Sequence, residues 1–89
     1  MPYFAYILQS DSSGKIYIGQ TADLQKRLSE HNDPTYRLTL HTKRHPGPWR
    51  LLYSESYATR AEAVARERAL KSGQGRAWIY RSLLKQRGC

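Results

Sequence analysis

Cysteine is almost absent from this sequence: Cys89 is the single thiol. One thiol makes no internal disulfide and no cysteine-based zinc site. Such usage fits a reducing compartment, so a cytoplasmic location is expected. Long apolar runs are also missing. No stretch approaches the roughly 18 residues of a membrane-spanning helix, and no membrane partner is expected. The opening MPYFAYILQS carries no basic residue ahead of its apolar stretch, so it reads as a strand and not as a signal peptide. Acids are scarce, seven against 15 lysines and arginines. There is no phosphate-cradling glycine loop, no serine or cysteine nucleophile motif and no multi-ligand zinc spacing. Those absences remove several enzyme classes.

What is present is an ordinary folded composition, 39% hydrophobic and 25% charged over 89 residues. A chain of that length is expected to be one domain, residues 1–89, with a single modest core. The net charge of +8 is unevenly spread. Residues 1–40 hold four bases (Lys15, Lys26, Arg27, Arg37) and four acids (Asp11, Asp23, Glu30, Asp33), so residues 41–89 carry the whole excess. A basic half beside a neutral half suggests a polyanionic partner, nucleic acid ahead of membrane. Simple solubility would give the same charge, since a basic footprint gives affinity without identity.

Along the chain, Tyr3 to Gln9 is aromatic and β-branched enough for a strand. A turn cluster, Asp11 to Gly14, separates it from a short second strand, Ile16 to Gly19, making a hairpin. Thr21 reads as an N-cap with Asp23 in the first turn. Leu24, Leu28 and His31 then recur at helical spacing, predicting a helix over 22–32 that Asp33-Pro34 ends. Residues 33–48 form a long irregular stretch holding His41, Lys43, Arg44 and His45. Long loops in small domains are usually functional. Trp49 to Tyr57 is a third strand, and Thr59 to Glu62 is a capping box opening a helix to about Lys71. Ser72 to Gly75 reads as a break, and a last helix is expected from about Arg76 to Lys85. A lone hairpin is not stable by itself, so the third strand must join its sheet. The fold class expected is α+β, a three-stranded sheet packed with about three helices.

Some residues fit a purely structural reading poorly. Glu67 lies three residues from both Val64 and Leu70, so at about 100° per residue it sits midway along the apolar stripe of its helix. A carboxylate aimed at a sheet is costly unless it is paired or holds a metal. A salt bridge to Lys71 or to a nearby arginine, or a side chain bent out to solvent, is the plain alternative. Arg27 and His31, four apart, stack on one edge of the Leu24/Leu28 stripe. Arginine suits phosphate oxygens, and histidine exchanges a proton near neutral pH. Both would also be ordinary half-exposed neighbours of a core. In the hairpin, Tyr6 shares a face with Phe4 and Leu8, while Tyr17 and Gly19 share one face of the second strand. Gly19 leaves a gap beside Tyr17 where another backbone or a ligand can approach. Seven tyrosines against one phenylalanine is lopsided, and buried tyrosines usually need a hydrogen-bond partner.

Taken together, Ala5-Tyr6-Ile7, then Tyr17-Ile18-Gly19, then Arg27 and His31 on the next helix, then Glu67 on the helix after the third strand, resemble the GIY-YIG nuclease superfamily. The resemblance runs from Tyr3 to about Leu84 and is greatest to its small single-domain bacterial members. TADLQKRLSEHN (21–32) and WRLLYSESYATRAEAVARERALK (49–71) match that branch in character and position. Each motif alone is weak; their order and spacing are specific. The resemblance implies a three-stranded antiparallel sheet and a metal-dependent endonuclease. It makes Tyr6 and Tyr17 the motif tyrosines, Arg27 the family arginine, His31 the residue one turn on, and Glu67 the metal ligand. Two positions depart from the pattern. Ala5 replaces a glycine, and Gln20 stands where the excision-repair members carry lysine, for which Lys43 or Lys71 would have to substitute.

The chemistry so implied is phosphodiester hydrolysis, which needs an activated water and charge stabilisation on the phosphoryl and leaving oxygens. With Glu67 as its one protein carboxylate, the ion would keep several waters and be Mg²⁺ or Mn²⁺. Tyr17, with His31 or Tyr6 beside it, would orient and deprotonate the water, although an unperturbed tyrosine has a pKa of about 10. Lys43, Arg44, Arg50, Lys71 and Arg76 would hold the nucleic-acid backbone, DNA more readily than RNA. Such contacts position without reading sequence, so low sequence specificity or recognition of shape is expected. Two other readings remain open: a nucleic-acid-binding module with little turnover, and a subunit that lends this domain to a protein partner.

Overall fold

The computed structural model describes residues 2–32 and 48–84. Strands β1 (Tyr3–Ser10), β2 (Ile16–Thr21) and β3 (Trp49–Tyr57) form one antiparallel sheet in the order β2-β1-β3. Helix α1 (Leu24–Asn32) follows β2. Helices α2 (Arg60–Lys71) and α3 (Gly73–Ile79) follow β3, and a wide π-helical turn, Tyr80–Leu84, extends α3. The α+β class with a three-stranded antiparallel sheet and three helices is therefore as expected.

The central strand explains the layering. In β1 the four consecutive residues Ala5, Tyr6, Ile7 and Leu8 are all buried. Side chains alternate faces along a strand, so burial of a continuous run means that both faces are covered. Ala5 and Ile7 pack with Ile18, Leu70 and Ile79, on the face covered by α2 and α3. Tyr6 and Leu8 pack with Trp49, Tyr17, Leu24 and Leu28, on the face covered by α1. A bulge in β3 lies opposite the step from Ile7 to Leu8, which pair with Tyr53 and Leu51.

Three local expectations change. Helix α1 begins at Leu24, two residues later than the periodicity suggests. Asp23 serves as its cap, accepting from the Lys26 amide at 3.1 Å, while Thr21 ends β2 and accepts from the Asp23 amide at 3.1 Å. An aspartate and a threonine two apart compete for that role, and the strand claims Thr21. Helix α3 starts at Gly73, not Arg76, because the break is a single residue. Ser72 ends α2 and caps α3, accepting from the Gly75 amide at 3.1 Å. This corner needs glycine at 75, where a Cβ would lie 2.1 Å from the Ala69 carbonyl oxygen. The capping box at Thr59 and Glu62 forms as the sequence suggests, with reciprocal bonds of 3.2 Å each.

Candidate active site

The hairpin register sets Tyr6 directly across from Gly19, and Leu8 across from Tyr17. Tyr6 and Tyr17 thus stand on one face, their ring centroids 6.3 Å apart. The gap at Gly19 is filled by the Tyr6 ring itself, whose Oη would be 2.7 Å from a Cβ there. Helix α1 lies over this face on Leu24 and Leu28 and delivers His31 between the tyrosines. The Tyr6 hydroxyl and His31 Nε2 are 3.2 Å apart, and the His31 ring is 4.6 Å from that of Tyr17. His31 is buried, not half-exposed. What fixes it there is its neighbour: Asn32 donates to the Trp49 carbonyl at 2.9 Å and accepts from the Trp49 amide at 2.6 Å. That clamp ties the last turn of α1 to the start of β3. Spacing in α1 gave no hint of it.

Arg27 reaches the same place from one turn earlier. It pairs with Glu30 at 3.2 Å, and its charge acts on the Tyr6 oxygen. Its Nε is buried and has no hydrogen-bond partner among the described residues. Burial pushes the Tyr6 phenol up to about 12, only partly offset by Arg27; the negative charges of Tyr17 and Glu67 push it further up. Tyr6 is therefore a donor near neutral pH and not a base. Burial would lower the Arg27 guanidinium, but Tyr6, Glu30 and Tyr17 outweigh it and hold it above its usual value.

Glu67 sits on α2 between the buried Ala63 and Leu70, so the stripe facing the sheet runs through Ala63 and not Val64. The plain alternative for Glu67 is present: Lys71 donates to its Oε2 at 2.8 Å. Its Oε1 makes no hydrogen bond among the described residues, where no three His, Cys, Asp or Glu side chains gather. One partly covered carboxylate fits a hydrated divalent ion held by a single protein oxygen, and does not fit a cage of protein ligands. Lys71 and Arg76 line a cleft of about 210 Å³ with Tyr17. Arg50 is engaged elsewhere, donating to Asp11 at 2.9 Å and to Gln9 at 2.7 Å. Lys43 and Arg44 lie outside the described residues, as do His41 and His45. Among the described residues, position 20 does not receive Lys71, which pairs with Glu67. Gln20 accepts from Arg60 at 2.8 Å, a contact that no helical or strand period in the sequence signals.

Comparison with known proteins concerns the family and the fold. The chain is 35% identical over 71 residues to a UPF0213 protein of Streptococcus agalactiae serotype V, covering 80% of this chain and 76% of the relative. It is 36% identical over 70 residues to a UPF0213 protein of Bacillus pumilus, covering 79% and 67%. The solution structure of a UPF0213 protein from Bacillus halodurans shares the fold with a TM-score of 0.51 at 24% identity, over 91% of this chain and 84% of that one. The sequence model of the GIY-YIG catalytic domain matches residues 2–81. The chain belongs to the GIY-YIG catalytic domain family.

Proposed function

We propose that this chain is a metal-assisted endonuclease that hydrolyses phosphodiesters in nucleic acid, DNA before RNA, and that residues 1–89 act as one domain. The observation that supports it most is the meeting of Tyr6, Tyr17 and His31 from three elements on one sheet face, with Arg27 one helical turn before His31. Arg27, permanently charged and with a donor to spare, meets the phosphoryl oxygens where charge builds. Tyr6 keeps its proton and holds His31 in place. Tyr17 and His31 orient the attacking water and take its proton. Glu67 would hold Mg²⁺ or Mn²⁺, which supplies positive charge to the phosphoryl and leaving oxygens when bound. Lys71 and Arg76, beside Tyr17, grip the backbone without reading bases.

One observation favours a second reading, a binding module with little turnover: Lys71 already neutralises the Glu67 carboxylate. The test is incubation of pure protein with labelled duplex, flap, nicked and single-stranded DNA and matching RNA, each with EDTA, Mg²⁺ or Mn²⁺. Metal-dependent cutting is expected, falling at least about 100-fold in Glu67→Ala and in Tyr17→Phe. Binding without cutting, unchanged in Glu67→Ala, would establish the second reading instead. Equal cutting of duplex, flap and single strand would reject recognition of shape.

A further inference from the structure

Beyond the tyrosine face, α1, α2 and the end of β2 enclose a separate open cleft of about 370 Å³. Its walls carry three cations from two helices: Lys26 and Arg27 of α1 and Arg60 of α2. Two acids, Asp23 and Glu30, line it as well. Glu30 is taken up by Arg27 at 3.2 Å, and Asp23 caps α1 through the Lys26 amide. Lys26 and Arg60 make no ion pair among the described residues. Arg60 is nonetheless not a loose surface arginine. Its Nη1 donates to Gln20 Oε1 at 2.8 Å, and its guanidinium lies 4.7 Å over the centre of the Tyr3 ring. A cation held this way loses little further freedom when it meets a ligand. Arg27 joins the two places, since it lines the cleft and its charge acts on the Tyr6 oxygen.

We propose that this cleft is a second phosphate-binding subsite, in which Arg60 and Lys26 hold a nucleic-acid backbone phosphate next to the one that Arg27 and Tyr6 meet. The ligand is a phosphodiester oxygen, an anion without base identity. Arg60 offers it the planar donor fork that suits phosphate, and Lys26 adds a mobile point charge. Gln20 then serves as a bracket for Arg60, turning a neutral side chain on β2 into the support of a cation from α2. The proposal rests on the nucleic-acid reading above but not on turnover.

The test is binding of a short labelled DNA duplex and its single strand to the full chain in EDTA, at several salt concentrations, for wild type, Arg60→Ala, Arg60→Lys and Lys26→Ala. Each alanine variant is expected to weaken binding roughly fivefold and to make the salt dependence shallower by about one unit of slope. Arg60→Lys should recover part of the affinity. Lys26 is exposed and its side chain makes no hydrogen bond among the described residues, so Lys26→Ala remains informative if Arg60→Ala unfolds. Unchanged affinity and slope in Lys26→Ala and the Arg60 variants would overturn the proposal. Inorganic phosphate that binds wild type but not Lys26→Ala, and leaves the DNA in place at constant ionic strength, would also overturn it, assigning the cleft to a free anion. Wild-type protein that binds but never cuts would sink the hydrolase and leave the subsite standing. Protein that cuts, with variants that bind like wild type, would do the reverse. Wild-type protein that binds no nucleic acid would remove both.

Discussion

At Gly19 the site has no room for a side chain. A Cβ there would stand 2.7 Å from the Tyr6 hydroxyl, 2.9 Å from Cζ of the same ring and 3.0 Å from Cε1 of Tyr17. Tyr6 is buried and cannot swing away, so it is the site that must deform. Gly19→Ala is expected to cost about 1–3 kcal/mol of stability and to lower cutting sharply at temperatures where the variant stays folded. Denaturant melts beside cleavage assays would check this; wild-type stability and rate would refute the close-packed account. Alternation along two strands was enough to place Gly19 beside Tyr17. It could not say that the space is filled by Tyr6 and not by a ligand, because that depends on the hairpin register and on the height of a ring one strand away.

Helix α1 has its apolar contacts at Leu24 and Leu28, yet its last turn is positioned by Asn32. The amide side chain satisfies both polar groups of Trp49 at the start of β3, in the way a neighbouring strand would. Asn32→Ala removes both of those bonds, at a cost of about 1–3 kcal/mol. It should also loosen His31 against Tyr6 and Tyr17. The expected result is a lower melting temperature with a larger fall in cutting rate than stability alone explains. A variant that melts lower but cuts at the wild-type rate when folded would show that the clamp serves only the fold. Caps differ in how plainly they read. The box at Thr59 and Glu62 is contiguous and was legible, whereas Ser72 caps one helix while ending another, so its neighbourhood looked like a longer break.

Across the whole molecule, the face opposite the tyrosine site carries its own polar network. Arg66 of α2 grips the Glu55 carboxylate of β3 with bonds of 2.9 and 3.2 Å, Tyr53 donates to it at 2.5 Å, and Tyr57 donates as well. Trp78 of α3 stacks near both Arg66 and Tyr53. Burial alone would raise the Glu55 carboxyl, but Tyr53, Tyr57 and Arg66 outweigh it and hold it below the usual range. The phenols of Tyr53 and Tyr57 are raised, each first by its bond to Glu55. The depressed carboxyl contributes stability that is present above the unfolded value, about pH 4.3, and is lost as pH falls through the folded one. The raised phenols act in the opposite sense. Their contribution is complete below about pH 10 and drains away as pH rises, with Tyr6 following at about 12. Thermal melts against pH should therefore show a plateau with losses on both sides, and Glu55→Gln should flatten the acid limb. An acid limb unchanged in Glu55→Gln would assign the acid loss to other groups.

The order of elements, the sheet faces of Tyr6 and Tyr17, the helical stacking of Arg27 on His31 and the Glu67–Lys71 pair were all legible in the sequence. Each follows from a period of two or 3.6 residues, which local backbone geometry imposes. Family order and spacing then carried the fold. What packing alone decided are the contacts between distant segments: Tyr6 with His31, Asn32 with Trp49, and Arg60 with Gln20. Those depend on strand register, on the bulge opposite Ile7 and Leu8, and on where each helix comes to rest. No local period encodes them, so the second cationic cleft beside Arg27 became visible only when the chain had closed on itself.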